Sequence, residues 1–505
     1  MRRACVVALL ALGVRGSAGE LASGSALSPA SGSALSPASL ACDGFCSEPV
    51  ARGPVMMRMM AARSKHSRGK MQRLAARDVS EAASGASAGL RGGGALRPGS
   101  GVPRGQASPC VGGLSGGVYP CSGVDMLSLV PRSELGVGAG FFMNDVWGWV
   151  DPESRREYAL SGAMDGVTIV DVTDPVRPQA IMRFPSDAKP DSESYWRDIK
   201  VYNSTAYIVA DWIPNHVQVV DLRRVRAFAP GGASFPPPAK VQSFKPDFVY
   251  SGLNLAHNIF VNERSGFAYA VGGNTCGGGV HLLDLRANPL RPAFAGCWGE
   301  AWTHDIQCVQ YAGPDTRFTG REICFAFQAE VGHVAVVDFT DKTVDRATKK
   351  LSKLKVLARV QYPQPSYTHQ GWLTEDHSKL LFGDETINLD AARPTKTFVL
   401  DLAKLDKAAF QFSFAFSQIA LAHNLYILGD RAYCSNYGSG LRVLDLKKLK
   451  AAQPSITELA YFDAFPAARK KASWDGVWSA YVYFPSGSIL LNSIEYGLFT
   501  LRMSA

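Results

Sequence analysis

Four of the nine histidines in this 505-residue sequence share one local setting. His257, His304, His369 and His423 each open a short β-like run, and each is followed by a polar residue: Asn258, Asp305, Gln370 and Asn424. Imidazole suits zinc, copper and iron, so four rings converging on one point would make a metal centre. A plainer use is structural, with a ring nitrogen hydrogen-bonding a nearby aspartate and holding a turn. The equivalent slot holds Asn144, Arg197 and Trp478 elsewhere in the chain, as a structural position would. A cationic Arg197 beside a divalent ion is also unfavourable. Structural pinning is therefore the first expectation, with no cofactor, and a copper, iron or zinc site is the alternative. No His-Glu-x-x-His and no Gly-x-x-x-x-Gly-Lys phosphate loop occurs. Asp384-Glu385 and Glu495 could line a channel, although acids at strand ends are usually solvated.

The elements that must position these residues form a repeat. Asp171, Asp221, Asp284, Asp338, Asp401 and Asp445 each sit in an apolar-Asp-apolar step, as in Ile169-Val170-Asp171-Val172. Their spacing of roughly 45–65 residues is that of a propeller or another repeat array. Before each step lies a β-rich run such as Phe267-Ala-Tyr-Ala-Val-Gly272. Before that lies the strand opened by the polar pair, and after the step comes a fourth run. Four short strands with turns between them make one propeller blade. A seventh unit supplies only three runs, Trp478 to Phe484, Ser488 to Ile494 and Gly497 to Met503. Met126 to Pro131 resembles the fourth strands elsewhere and can complete it, which would pair edges that an open solenoid leaves exposed. The expected fold is an all-β, seven-bladed β-propeller over 109–505, with four-stranded blades and an N-terminal strand closing the last. The four histidine slots then lie at one mouth of the central channel, where Trp147, Trp149 and Trp196 could also hold a ligand.

Charge and composition set the leader apart. Residues 1–108 carry 14 Lys/Arg against 5 Asp/Glu, while the rest carries 39 of each, so the net charge of +9 resides in the leader. A neutral body offers no concentrated basic face for nucleic acid. Residues 1–19 join a basic start to an apolar run and then small residues, the layout of a signal peptide. The run is too short to span a bilayer well, and no transmembrane segment is expected. Residues 20–108 are Ala/Gly/Ser/Pro-rich and repeat Ala22 to Pro29 as Ala30 to Pro37. They are expected to be disordered, because such sequence buries too little apolar surface to offset its ordering entropy. The basic, acid-free stretch from Met56 to Arg77 would also suit a second-stage organelle transit peptide. The expected destination is extracellular or the cell surface, with an organelle lumen as the alternative.

Export allows oxidation. Three local cysteine pairs then suggest disulfides: Cys110 with Cys121, Cys276 with Cys297, and Cys308 with Cys324. Cys434 is left over as a buried thiol. Asn203-Ser204-Thr205, in a turn of the second unit, is a glycosylation acceptor if the source is a eukaryote.

From residue 108 to 503 the chain resembles the choice-of-anchor B proteins, built from LVIVD-type repeats. The stretches that carry the likeness include Tyr119-Pro120-Cys121-Ser122-Gly123-Val124-Asp125, Trp147-Gly148-Trp149, Trp196-Arg197-Asp198-Ile199-Lys200-Val201-Tyr202, Thr303-His304-Asp305, Tyr367-Thr368-His369-Gln370-Gly371-Trp372 and Gly497-Leu498-Phe499. The resemblance implies an exported propeller, often attached to a surface by a C-terminal device. Met503-Ser504-Ala505 shows no hydrophobic tail of that kind. Two functions follow: a monomeric binding or interaction propeller whose ligand is a protein or small molecule, and a metal-dependent enzyme using the four histidines.

Overall fold

The computed structural model describes residues 69–72, 74, 105–186, 195–212, 214–234, 240–389, 392–466 and 471–505. All of them belong to the unit Cys42–Ala505. The signal peptide expected at 1–19, and most of the 20–108 segment, lie outside the described residues.

The described chain is all-β with a propeller arrangement. Its strands form seven sheets, numbered here by first strand. Sheet 1 begins with Met143–Val150, sheet 2 with Arg197–Tyr202, sheet 3 with Asn258–Asn262 and sheet 4 with Asp305–Gln310. Sheet 5 begins with Thr368–Leu373, sheet 6 with Leu425–Leu428 and sheet 7 with Val477–Tyr481. Within each sheet the main strands run antiparallel in chain order. The fourth strand of sheet 7 is Val124–Pro131, which pairs with Gly497–Met503. Sheet 6 continues outward through Tyr119–Ser122, Leu114–Ser115 and Cys110–Val111, so its outer strand is not a bare edge.

The strands are rich in β-branched and aromatic residues, and many are buried on both faces. Glu322–Gln328 (EICFAFQ) is buried throughout. Such runs need apolar neighbours on either side, and the clusters between consecutive sheets provide them. Leu160, Ile169 and Met182 of sheet 1 pack on Ile199 and Ile208 of sheet 2. Phe325 and Val336 of sheet 4 pack on Phe382 and Phe398 of sheet 5. Sheets 7 and 1 meet in the same way through Leu490, Leu498, Val146 and Val170.

The repeated aspartates terminate the third strands. Asp171, Asp221, Asp284, Asp338, Asp401 and Asp445 each accept a hydrogen bond from the backbone N–H two residues on, at 2.8–3.2 Å. This is an Asx turn, in which the carboxylate replaces a backbone acceptor where the strand ends.

Among the described residues three disulfides brace the sheets: Cys110–Cys121, Cys276–Cys297 and Cys308–Cys324. Cys308 and Cys324 face each other across adjacent strands of sheet 4. Cys434 is buried and free, and burial pushes its thiol up to about 12. Non-reducing peptide maps are expected to show the three linked pairs, and to show Cys434 alkylated only after denaturation. Alkylation of Cys434 in the native protein would contradict this burial.

Part of the low-complexity leader is ordered. Residues 69–72 and 74 are helical, and Lys70 and Leu74 are buried. These two side chains find partners in the propeller, which composition does not reveal.

Candidate functional site at the narrow mouth

The seven first strands lie side by side, each against the next, and carry residues from one end of the channel to the other. Their starts converge on a small cavity lined by Arg197, His257, His304, His369, His423 and Glu385 among others. The slot reading thus brings all four histidines together. Their rings form a continuous arc, with centroids 4.2 Å apart from His257 to His304, 4.0 Å from His304 to His369 and 4.5 Å from His369 to His423.

Two of the rings are oriented from behind. His257 Nδ1 lies 2.9 Å from Oδ2 of Asp211, a residue with no exposed surface. His423 Nδ1 lies 2.5 Å from the carbonyl oxygen of Trp478. When Nδ1 donates to an oxygen, the lone pair is left on Nε2. A carboxylate closes the arc: Glu385 Oε2 is 3.7 Å from His369 Nε2, and its Oε1 accepts from Tyr437 Oη at 2.7 Å. His304, His369 and Glu385 each bring one ligand atom within 4.8 Å of the others.

The aspartate that holds His257, Asp211, is not one of the repeat aspartates, which accept from their own turns. Pinning of one sheet to the next falls largely to the residue after the slot. Asp198 accepts from Ile259 N–H at 2.8 Å, Asn258 Nδ2 donates to the His304 carbonyl at 2.9 Å, and Gln370 exchanges two hydrogen bonds with the Leu425 backbone. Arg197 is also accounted for. Its guanidinium donates to the carbonyls of Ala163 and Met164 and to Asn215 Oδ1, which ties its charge to sheet 1.

The acids are not solvated strand ends. Glu385, Asp384 and Glu495 are all buried. Asp384 accepts from Tyr362 Oη and from the backbone of Ser366 and Tyr367, so its role is structural. Glu385, expected from the sequence as a possible channel residue, lines the cavity, and its approach to His369 is what spacing alone does not indicate.

Deeper in the channel lie Asp145, Asp198, Asp305 and Lys200. Lys200 Nζ is 2.5 Å from Asp198 Oδ1 and 3.9 Å from Asp145 Oδ2, and stands 4.4 Å over the Trp147 ring. Burial raises Asp145 well above the usual carboxylate range and pushes Asp305 up to about 8. Burial opposes ionisation of Asp198 as well, but Lys200 and its hydrogen bonds hold it below its ordinary value.

The strands end at a second, wider cavity of about 800 Å³ lined by Trp147, Trp149, Lys200, Phe260, Trp372 and Tyr483 among others. Trp147 and Trp149 therefore belong to this opposite mouth, whereas Trp196 lines the narrow one. Asn203 is exposed in its turn, with φ of 44°, at the rim of the wide mouth. Comparison with protein-family models and with characterised proteins found no match to this chain.

Proposed function

We propose that this chain is an exported, seven-bladed binding propeller of the choice-of-anchor B type, and that its narrow mouth holds one first-row transition-metal ion. The carrying observation is the buried set His304, His369 and Glu385, with ligand atoms within 4.8 Å of one another and His257 and His423 in ring contact on either side. Ligand atoms about 2.1 Å from a tetrahedral ion are about 3.4 Å apart, so side-chain rotation of about 1 Å would close the set. Imidazole with one carboxylate suits zinc, iron or copper. The hydrogen bonds behind His257 and His423 resemble the outer-shell partners of metal-bound histidine.

Seven blades are favoured by seven sheets whose first strands follow one another, with sheet 7 against sheet 1. Closure by the N-terminal strand is favoured by the pairing of Val124–Pro131 with Gly497–Met503. Export is supported by the three disulfides, which are compatible with an oxidising compartment. Among the described residues no helix is long and apolar enough to cross a membrane. If the host glycosylates, Asn203 should carry a glycan, read as an Asn-to-Asp conversion after enzymatic release. An unmodified Asn203 in secreted material would count against that route.

Elemental analysis tests the metal reading. Full-length protein from metal-supplemented cultures should retain about one zinc, iron or copper ion per chain through dialysis. A His304→Ala/His369→Ala variant should lose it while remaining folded. A wild-type protein that retains none after loading would overturn the proposal.

A further inference from the structure

Two residues of the leader, Lys70 and Leu74, are buried against residues around the four-histidine mouth. Lys70 Nζ lies 2.8 Å from Asp475 Oδ1 and 2.8 Å from Glu495 Oε1, and donates to the Trp474 carbonyl at 2.9 Å. It also stands 5.6 Å from the centre of the Phe142 ring. Leu74, four residues on and so on the same helix face, is buried in a cluster with Phe142, Trp196, Tyr367, Tyr437 and Trp478.

These partners belong to the mouth. Tyr367 meets the His304 ring at 5.5 Å, Trp196 meets His257 at 5.9 Å, and Tyr437 and Trp478 meet His423 at 4.7 and 5.1 Å. They come from sheets on different sides of the channel. Leu74 is buried within the one apolar cluster that these residues form around the opening. The lysine pocket is a built site: two carboxylates, a carbonyl and an aromatic face receive one ammonium group, and Glu495 is itself buried.

We propose that residues 69–72 and Leu74 are an intramolecular ligand, a helical segment that presents Lys70 and Leu74 to the propeller and caps the histidine mouth. The regulatory half rests on the metal reading above: an ion enters or leaves that mouth only when the cap is released. The docking itself does not depend on a metal.

Histidine modification by diethylpyrocarbonate tests this on metal-free, full-length protein, read residue by residue by mass spectrometry. In a Lys70→Ala/Leu74→Ala variant, His304 and His369 should react about tenfold faster than in the wild type, the equivalent of about 1.4 kcal/mol. His377, at the wide mouth, should react at an unchanged rate. Equal rates at His304 and His369, in a variant that melts like the wild type, would overturn the cap. If the double variant fails to fold, wild-type amide exchange at 69–72 decides. Protection of about tenfold or more over an unstructured peptide supports docking, and unprotected exchange overturns it. A faster-reacting variant together with metal-free protein throughout would remove the metal reading and leave the cap standing.

Discussion

Replacing Glu322 with alanine is expected to destabilise the protein by about 3–5 kcal/mol, the effect of removing one partner from a buried charged network. Glu322 is buried in sheet 4, yet most of its partners lie in sheet 3. It accepts from Ser265 Oγ at 2.7 Å, from Tyr269 Oη at 2.6 Å and from Asn262 Nδ2, and it pairs with the Lys342 ammonium. Burial and the adjacent carboxylate raise the Tyr269 phenol well above its usual range, so that hydroxyl stays a donor and needs an acceptor. Alanine would strand an ammonium, a phenol and an amide between two sheets. Glu322→Gln keeps one acceptor oxygen for Asn262, Ser265 and Tyr269 but loses the charge and turns an NH2 donor towards Lys342, so it should cost less than alanine, about 1–3 kcal/mol. Urea unfolding of the pair measures both. A Glu322→Ala midpoint within error of the wild type, at unchanged slope, would mean that water replaces the carboxylate and that this clamp does not hold the interface.

Lys200→Met should be of similar size at neutral pH, about 3–5 kcal/mol, because it leaves ionised Asp198 buried without its cation. The loss should shrink towards pH 5, where Asp198 can take up a proton instead. Asp305 has the opposite signature. Its folded-state value of about 8 lies above that of an exposed aspartate, so the folded protein binds more protons than the unfolded chain between those values. Its contribution to stability is complete below about pH 4 and is lost as pH rises through about 8. Asp305→Asn, which can still accept from Ile306 N–H, should therefore raise stability at pH 8, by up to about 5 kcal/mol. It should also flatten the pH dependence between 5 and 8. Identical pH profiles for wild type and Asp305→Asn would show that Asp305 is solvated and ionised.

The propeller was legible because each unit repeats the same local chemistry. An aspartate after an apolar run ends a strand through an Asx turn, and that signal needs no tertiary partner. The four histidines were legible as a set for the same reason: one slot in one repeated strand. Their surroundings were not, because they come from other sheets. Asp211 precedes sheet 3 yet orients His257, and Glu385 follows the second strand of sheet 5 yet faces His369. Trp147 and Trp149 lie at the opposite mouth from Trp196, because a first strand carries residues to both ends. In Met143–Val150 the pairing register shifts between Met143 and Val146, which the sequence alone does not reveal. Lys70 was invisible for a stronger reason: its carboxylate partners lie some 400 residues away.

The pairing of Val124–Pro131 with Gly497–Met503 has a consequence for how the molecule is made. The earlier strand leaves the ribosome when most of the chain is still unsynthesised, and its partner arrives about 370 residues later. At about 5–20 residues per second, that is a wait of roughly 20–70 seconds. Throughout it, a buried apolar strand, with Met126 and Leu127 almost inaccessible in the finished molecule, must be shielded by something else. A premature stop before Gly497 would therefore leave two widely separated strands, Val124–Pro131 and Ile489–Ser493, without their mate. The defect should appear as aggregation of newly made chains rather than as a locally frayed end.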